Sequence, residues 1–299
     1  MDILLKGTID EECQLSMLRA NNLVLNKISD IIDDEYDKHI DRTSVASNIN
    51  LNTYIPDPDC KYGKWKFKFP KFSGINVNMM PFRIFNCKET LPEYLHSYLP
   101  IIKSCPIFPY KFDSDGRNIG CDSDQICYLT IHESSVKKGE TQRRAGIHIE
   151  RPAFIEGHGR FVEEQPWGMN EFSALSWGRG RWDNMTGFPI DGIYMATNIA
   201  KSSKIYDVLI DKPEEITDKH GGLDYIMCNK IKDKSYNMEP NRLYWMTDRT
   251  PHESLPVEED CDRQFFRLVV GKISIWYSQH NTANPLVEPD APISDCSKF

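Results

Sequence analysis

The chain has 299 residues, 40% of them hydrophobic and 27% charged, with a formal net charge of −8. That length allows one large or two modest domains around a buried core, and the composition is that of a soluble globular protein rather than a disordered one. The acidic balance argues against non-specific nucleic-acid binding, which depends on neutralising phosphates; Arg179–Trp182 (RGRW) is the most plausible local basic patch.

No apolar run is long enough to cross a bilayer, and the start, MDILLKGTIDEEC, lacks a basic segment followed by an apolar one. Nine cysteines without a CxxC pair point to reduced thiols and a cytoplasmic location. Along the chain, apolar residues at three- and four-residue intervals (Leu15, Leu18, Leu25, Ile28, Ile32) predict a helix within the first forty residues. An Asn/Pro-rich loop follows, and then KWKFKFPKF, which alternates like an exposed or edge strand. Thr90 opens a second predicted helix, with Pro92 in its first turn and Pro100 ending or kinking it. His96 within it reads as structural.

From about residue 125 the pattern turns to short, β-branched and aromatic segments. Strands are predicted at 125–132, 145–150, 191–199, 204–210, 223–227, 242–247, 264–270 and 272–277. The expected fold class is α+β: a double-stranded β-helix (jelly-roll or cupin-like) core at 121–299, with an N-terminal helical buttress at 1–120. Residues 151–190 form an insertion too long for a plain connector, expected to lie over the site. The tail after Tyr277 is Pro- and Asn-rich and should run extended over the surface.

Within this β region, AGIHIERP places His148 and Glu150 on the same face of a strand, one pleat apart. His252, in RLYWMTDRTPHESLPV, could complete the set from a distant strand. Two imidazoles and one carboxylate on one face of an octahedron leave three positions open, the arrangement of mononuclear non-heme iron(II) sites.

The segment around His252, a bulky apolar strand leading through a polar turn to His-Glu and then Pro, resembles the distal-histidine segment of the prolyl-hydroxylase-like 2-oxoglutarate and iron(II)-dependent oxygenases. The resemblance spans roughly the last half of the chain. It implies Fe(II) held by His148, Glu150 and His252, with 2-oxoglutarate as co-substrate and oxidation of an unactivated C–H bond. It also implies an arginine to hold the C5 carboxylate of 2-oxoglutarate with a planar fork. Arg263, 263 − 252 = 11 residues after the histidine, has the family's spacing, and Arg267 lies two pleats further on the same face. Three features differ from the usual pattern. The carboxylate is Glu rather than Asp, the histidines are 252 − 148 = 104 residues apart, and Phe265 rather than a small hydroxyl residue stands two positions after Arg263.

Arg143, Arg144 and Arg160 flank the first half of the triad and could hold an anionic substrate; solvated charges are the plainer reading. His158 is the one rival ligand. His132 and Glu133 point to opposite faces of their strand and cannot chelate together. The stretch 113–124 lacks the order of a calcium loop. Two other readings use the same residues: a cupin-like metalloenzyme that does without 2-oxoglutarate and Arg263, and a non-enzymatic jelly-roll binding or structural protein. The substrate, a small molecule or a protein side chain, and the oligomeric state are not legible.

Overall fold

Cys261–Val270 is buried along both of its faces, apart from its first two residues. A strand covered on both sides must sit in the middle of a sheet with layers above and below it, which explains the near-continuous apolar run QFFRLVV. The computed structural model describes residues 40–41, 67–107, 110–112, 118–121, 124–151, 176–180, 182–183, 188–210, 213–218 and 220–295. The chain divides into two compact units, 1–40 and 41–299. The helix expected within the first forty residues lies outside the described residues, and the five- and three-stranded sheets and the candidate site residues belong to the second unit.

Eight strands frame that unit: β1 (Asn76–Arg83), β2 (Ile126–Val136), β3 (Gly192–Thr197), β4 (Ser203–Tyr206), β5 (Ser235–Asn237), β6 (Tyr244–Met246), β7 (His252–Ser254) and β8 (Cys261–Val270). They form a five-stranded sheet of order β6-β3-β8-β2-β1 and a three-stranded sheet of order β5-β4-β7. Every pairing in both sheets is antiparallel. The architecture is thus mixed α+β, dominated by antiparallel sheet, with few and short helices among the described residues.

Alternation along β8 divides the core. Phe266, Leu268 and Val270 face one cluster with Leu129, Ile131, Leu91, Leu95 and Ile101. Phe265 and Val269 face the other, with Met195, Ile205, Met238 and Trp276. The first cluster therefore joins the sheet to the segment 91–105.

Several expected elements differ. Thr90 ends the helix α1 (Cys87–Thr90) instead of opening one, because Pro92 forces Leu91 into extended backbone. A 3-10 helix, Glu93–Tyr98, then leads into α2 (Leu99–Ser104), and Pro100 sits in the first turn of α2, where its missing N–H costs nothing. Residues 223–227, expected as a strand, enter the helix α3 (Tyr225–Ile231), since the Asp224 side chain accepts from the Met227 amide at 2.8 Å and Met227 and Ile231 bury one face. The described part of KWKFKFPKF (67–72) has no strand partner, and 204–210 divides into two short strands. Residues 145–150 join the sheets only through isolated bridges at His148. Of the segment 272–277, only Trp276–Tyr277 is a strand, and it pairs in parallel with Ile293–Ser294.

Strand β1 has no signature in the sequence, because NVNMMPFR shows neither the strand nor the helix period. Its register shifts between Val77 and Met80, where Met79 has a φ of 47°. Such a bulge re-aims a side chain, and here it turns Asn78 toward the cavity that also holds His148 and His252.

On the opposite side of the sheet, buried Glu133 accepts from Tyr98 Oη at 2.6 Å, Gln264 Nε2 at 2.7 Å, and the amides of Ser73 and Ile75. Burial alone would raise its pKa; these four donors outweigh burial and hold it below the ordinary glutamate value. A depressed folded-state pKa contributes stability above the unfolded value, lost as pH falls through the folded one. Urea denaturation between pH 6 and 3 should show this acid loss in the parent and a flatter profile in Glu133→Gln. Tyr98→Phe should cost about 1.5–3 kcal/mol at neutral pH.

Candidate functional site

His148 reaches the small sheet through two backbone hydrogen bonds: its amide donates to His252 O at 3.0 Å, and the His252 amide donates to His148 O at 2.9 Å. This closely spaced antiparallel pair sets the two side chains together, with ring centroids 4.6 Å apart. The Ile149 amide bonds Gly221 O and the Arg151 amide bonds Asp248 O, holding the strand through Glu150. Glu150 Oε1 lies 3.6 Å from His252 Nε2. Residues 104 apart in sequence are therefore neighbours, and His148, Glu150, His252, Arg263 and Arg267 all line one cavity of about 250 Å³.

Each imidazole is oriented through its Nδ1. That of His148 is 2.8 Å from Gly146 O, and that of His252 is 3.0 Å from Thr250 O. A carbonyl on Nδ1 fixes the tautomer with the proton there and leaves Nε2 as the lone-pair nitrogen, the usual second contact of a metal-binding histidine. Burial, with His252 alongside, pushes the His148 pKa down to about 3, so the ring is neutral at physiological pH. The carboxylate is differently engaged: Arg267 Nη1 donates to Glu150 Oε1, and Arg267 Nη2 also contacts Thr130 Oγ1 at 3.3 Å. Among the described residues, no group of three or more His, Cys, Asp or Glu side chains is set to hold a metal ion. Two imidazoles and a carboxylate are donor types that suit a divalent metal, and Arg267 engages the same Glu150 oxygen that lies nearest His252 Nε2.

Arg263 is 0% exposed. Its Nη1 donates to Ser254 Oγ at 2.8 Å and its Nη2 to Ser203 Oγ at 2.7 Å, while its Nε has no partner among the described residues. No carboxylate pairs with it among the described residues. Burial holds its pKa down to about 10, which leaves it charged at neutral pH. An unpaired buried guanidinium costs several kcal/mol, an expense consistent with a seat for an anion. Ser203 and Ser254 carry no sequence signal, because the family pattern places its hydroxyl two positions after the arginine on the same strand. The hydroxyls come instead from β4 and β7. Arg263 and Arg267 thus have separate roles here: Arg263 faces two hydroxyls, and Arg267 faces the carboxylate of Glu150.

Of the other candidates, Arg143 and Arg144 also line the cavity, whereas His158 and Arg160 lie outside the described residues, as does most of 113–124. Trp177, bridged to Ile273, and the pair Trp182–Asp183 with Phe188–Pro189 are the described parts of the 151–190 insertion that form bridges or strands. His132 faces the cavity while its neighbour Glu133 points to the network on the far side, as alternation requires. His96 Nε2 bonds Leu91 O outside the cavity. Comparison with protein-family models, curated proteins and solved structures yields no match.

Proposed function

We propose that the protein is an Fe(II)- and 2-oxoglutarate-dependent oxygenase built on a double-stranded β-helix. The observation that carries this reading is one cavity walled by two imidazoles oriented through Nδ1, a carboxylate and a fully buried arginine with no carboxylate of its own among the described residues. Two antiparallel sheets, five- and three-stranded, support the jelly-roll assignment.

His148 Nε2, His252 Nε2 and Glu150 would hold the metal, with Glu150 exchanging Arg267 for the ion. When bound, the iron supplies oxygen activation for the reaction R–H + 2-oxoglutarate + O₂ → R–OH + succinate + CO₂. The chain's own part is positional. Arg263, held in plane by Ser203 and Ser254, binds the C5 carboxylate, while Met195, Met238 and Phe265 give the cavity apolar walls that limit water. The five described free thiols suit a reducing, cytoplasmic setting.

Succinate release from 2-oxoglutarate under air with added ferrous iron tests the proposal, with His252→Ala beside the parent; equal turnover in both removes it. Arg267→Gln should act on the metal and not on the co-substrate. Freeing Glu150 from a charge-assisted hydrogen bond should tighten manganese(II) binding about tenfold or more, read by calorimetry, and shift the 2-oxoglutarate requirement by less than about threefold.

The Arg267–Glu150 pair itself favours a second reading, a metal-free jelly-roll binding protein in which that ion pair is structural. A purified chain that takes up no iron, manganese or zinc supports it. A cupin-like metalloenzyme without 2-oxoglutarate would bind metal yet tolerate loss of Arg263.

A further inference from the structure

The oxygenase reading uses Arg263 and Arg267 and leaves a third guanidinium in the cavity without employment. Arg143 lies with its Cζ 4.7 Å from the centroid of the Phe265 ring. Phe265 stands between Arg263 and Arg267 on the cavity face of β8, so the ring that Arg143 covers has an arginine two residues away on either side along the strand. A guanidinium stacked on a ring keeps its N–H edge free for an in-plane acceptor.

Its neighbour shows the contrast. Arg144 Nη1 donates to His220 O at 2.6 Å and its Nη2 lies 3.7 Å from Asp218. Arg143 makes no hydrogen bond or ion pair among the described residues. The two carboxylates of the cavity are already engaged. Glu150 is bound by Arg267, and Glu253 accepts from Tyr206 Oη at 2.6 Å with Lys204 3.8 Å away.

Arg143 does not sit on a loose loop. Gln142 Nε2 reaches His132 O at 3.1 Å, Ser134 Oγ at 3.0 Å and Arg263 O at 2.8 Å, which ties this segment to β2 and β8. Burial, then Arg267 and more weakly Arg263, hold the Arg143 pKa down to about 9 against the attraction of Glu150, whose charge Arg267 already engages; an incoming anion adds to that attraction. In a chain of net charge −8, two buried or half-buried guanidiniums that face one cavity and hydrogen-bond no carboxylate among the described residues are two candidate anion seats.

We propose that Arg143 is the second seat and that the molecule oxidised in this cavity is a small carboxylate, whose head group Arg143 binds. The identification of that molecule as the oxidised substrate rests on the oxygenase reading; the seat itself does not. With 2-oxoglutarate on Arg263, the Phe265 ring separates the two anions, and the substrate's carbon chain lies against apolar surface next to the triad.

Equilibrium dialysis of the full-length chain against labelled glutarate, a dicarboxylate without a chelating keto group, counts the seats. Two equivalents per chain are expected, and none of the uncharged glutaramide. Arg143→Gln should weaken one of the two by about tenfold or more, and Arg143→Lys, which keeps the charge, should recover part of it. Arg263→Gln should weaken the other. No glutarate bound in the parent, or binding undiminished in Arg143→Gln, overturns the proposal, whereas a single Arg143-dependent equivalent removes only the Arg263 seat. Absence of His252-dependent succinate release overturns the oxygenase reading instead, and an Arg143-dependent equivalent that survives it shows that the seat stands without that reading.

Discussion

Replacing Arg263 with leucine is expected to raise the 2-oxoglutarate concentration for half-maximal turnover by about 100-fold or more while leaving folding stability unchanged or higher. The two halves of that result come from one fact, a guanidinium 0% exposed whose only partners among the described residues are the hydroxyls of Ser203 and Ser254. Two hydroxyls do not repay the desolvation of a full charge. Substituting an apolar side chain for such a charge is neutral to stabilising by about 1–4 kcal/mol, offset here in part by the serines it leaves unpartnered. Binding of the co-substrate loses a charge-assisted fork, about 2.7 kcal/mol for a 100-fold change. Urea denaturation and succinate release together decide it. A stability loss of about 3 kcal/mol or more with an unchanged co-substrate requirement would assign Arg263 to the scaffold.

The second large effect falls on His252. His252→Ala should lower succinate release by about 1000-fold or more and abolish the stabilisation that manganese(II) gives the parent. A site filled at one hundred times its Kd adds about 2.7 kcal/mol to unfolding, which a thermal scan detects readily. The backbone pair between residues 148 and 252 survives the substitution, so loss of the side-chain nitrogen is what the experiment isolates. Losing the Nδ1 bond to Thr250 O should cost about 1 kcal/mol, too little to unfold the chain. His96→Ala supplies the control, since that ring contacts Leu91 O away from the cavity. A variant at His252 that keeps both metal stabilisation and turnover would falsify the metal role.

Local order is legible wherever a short-range rule governs it. The facing of side chains along β8 and β2 follows from the pleat, which sends successive residues to opposite sides, and it puts His132 and Glu133 on opposite faces. Where a side chain near the end of an element decides the outcome, periodicity misleads. Asp224 capping Met227 makes a helix of an apolar segment that reads as a strand, and Pro92 moves a helix boundary past Thr90. Strand β1 escapes a reading by period because a bulge at Met79 breaks its alternation, and only pairing with β2 holds it.

For the site, the chain itself determined the reactive groups and their local facing. His148 and Glu150 share a face because alternate residues do, and Arg263, Phe265 and Arg267 share another for the same reason. Only the tertiary structure decided which of those faces meet. Backbone pairing of 148 with 252, closure of β4 and β7 over Arg263, and the clamp of Gln142 on β8 are all contacts between distant segments. Their partners are chosen by packing of the whole core, which no short stretch of sequence carries. That packing allotted the two arginines of β8 different neighbours, a pair of hydroxyls for one and a carboxylate for the other.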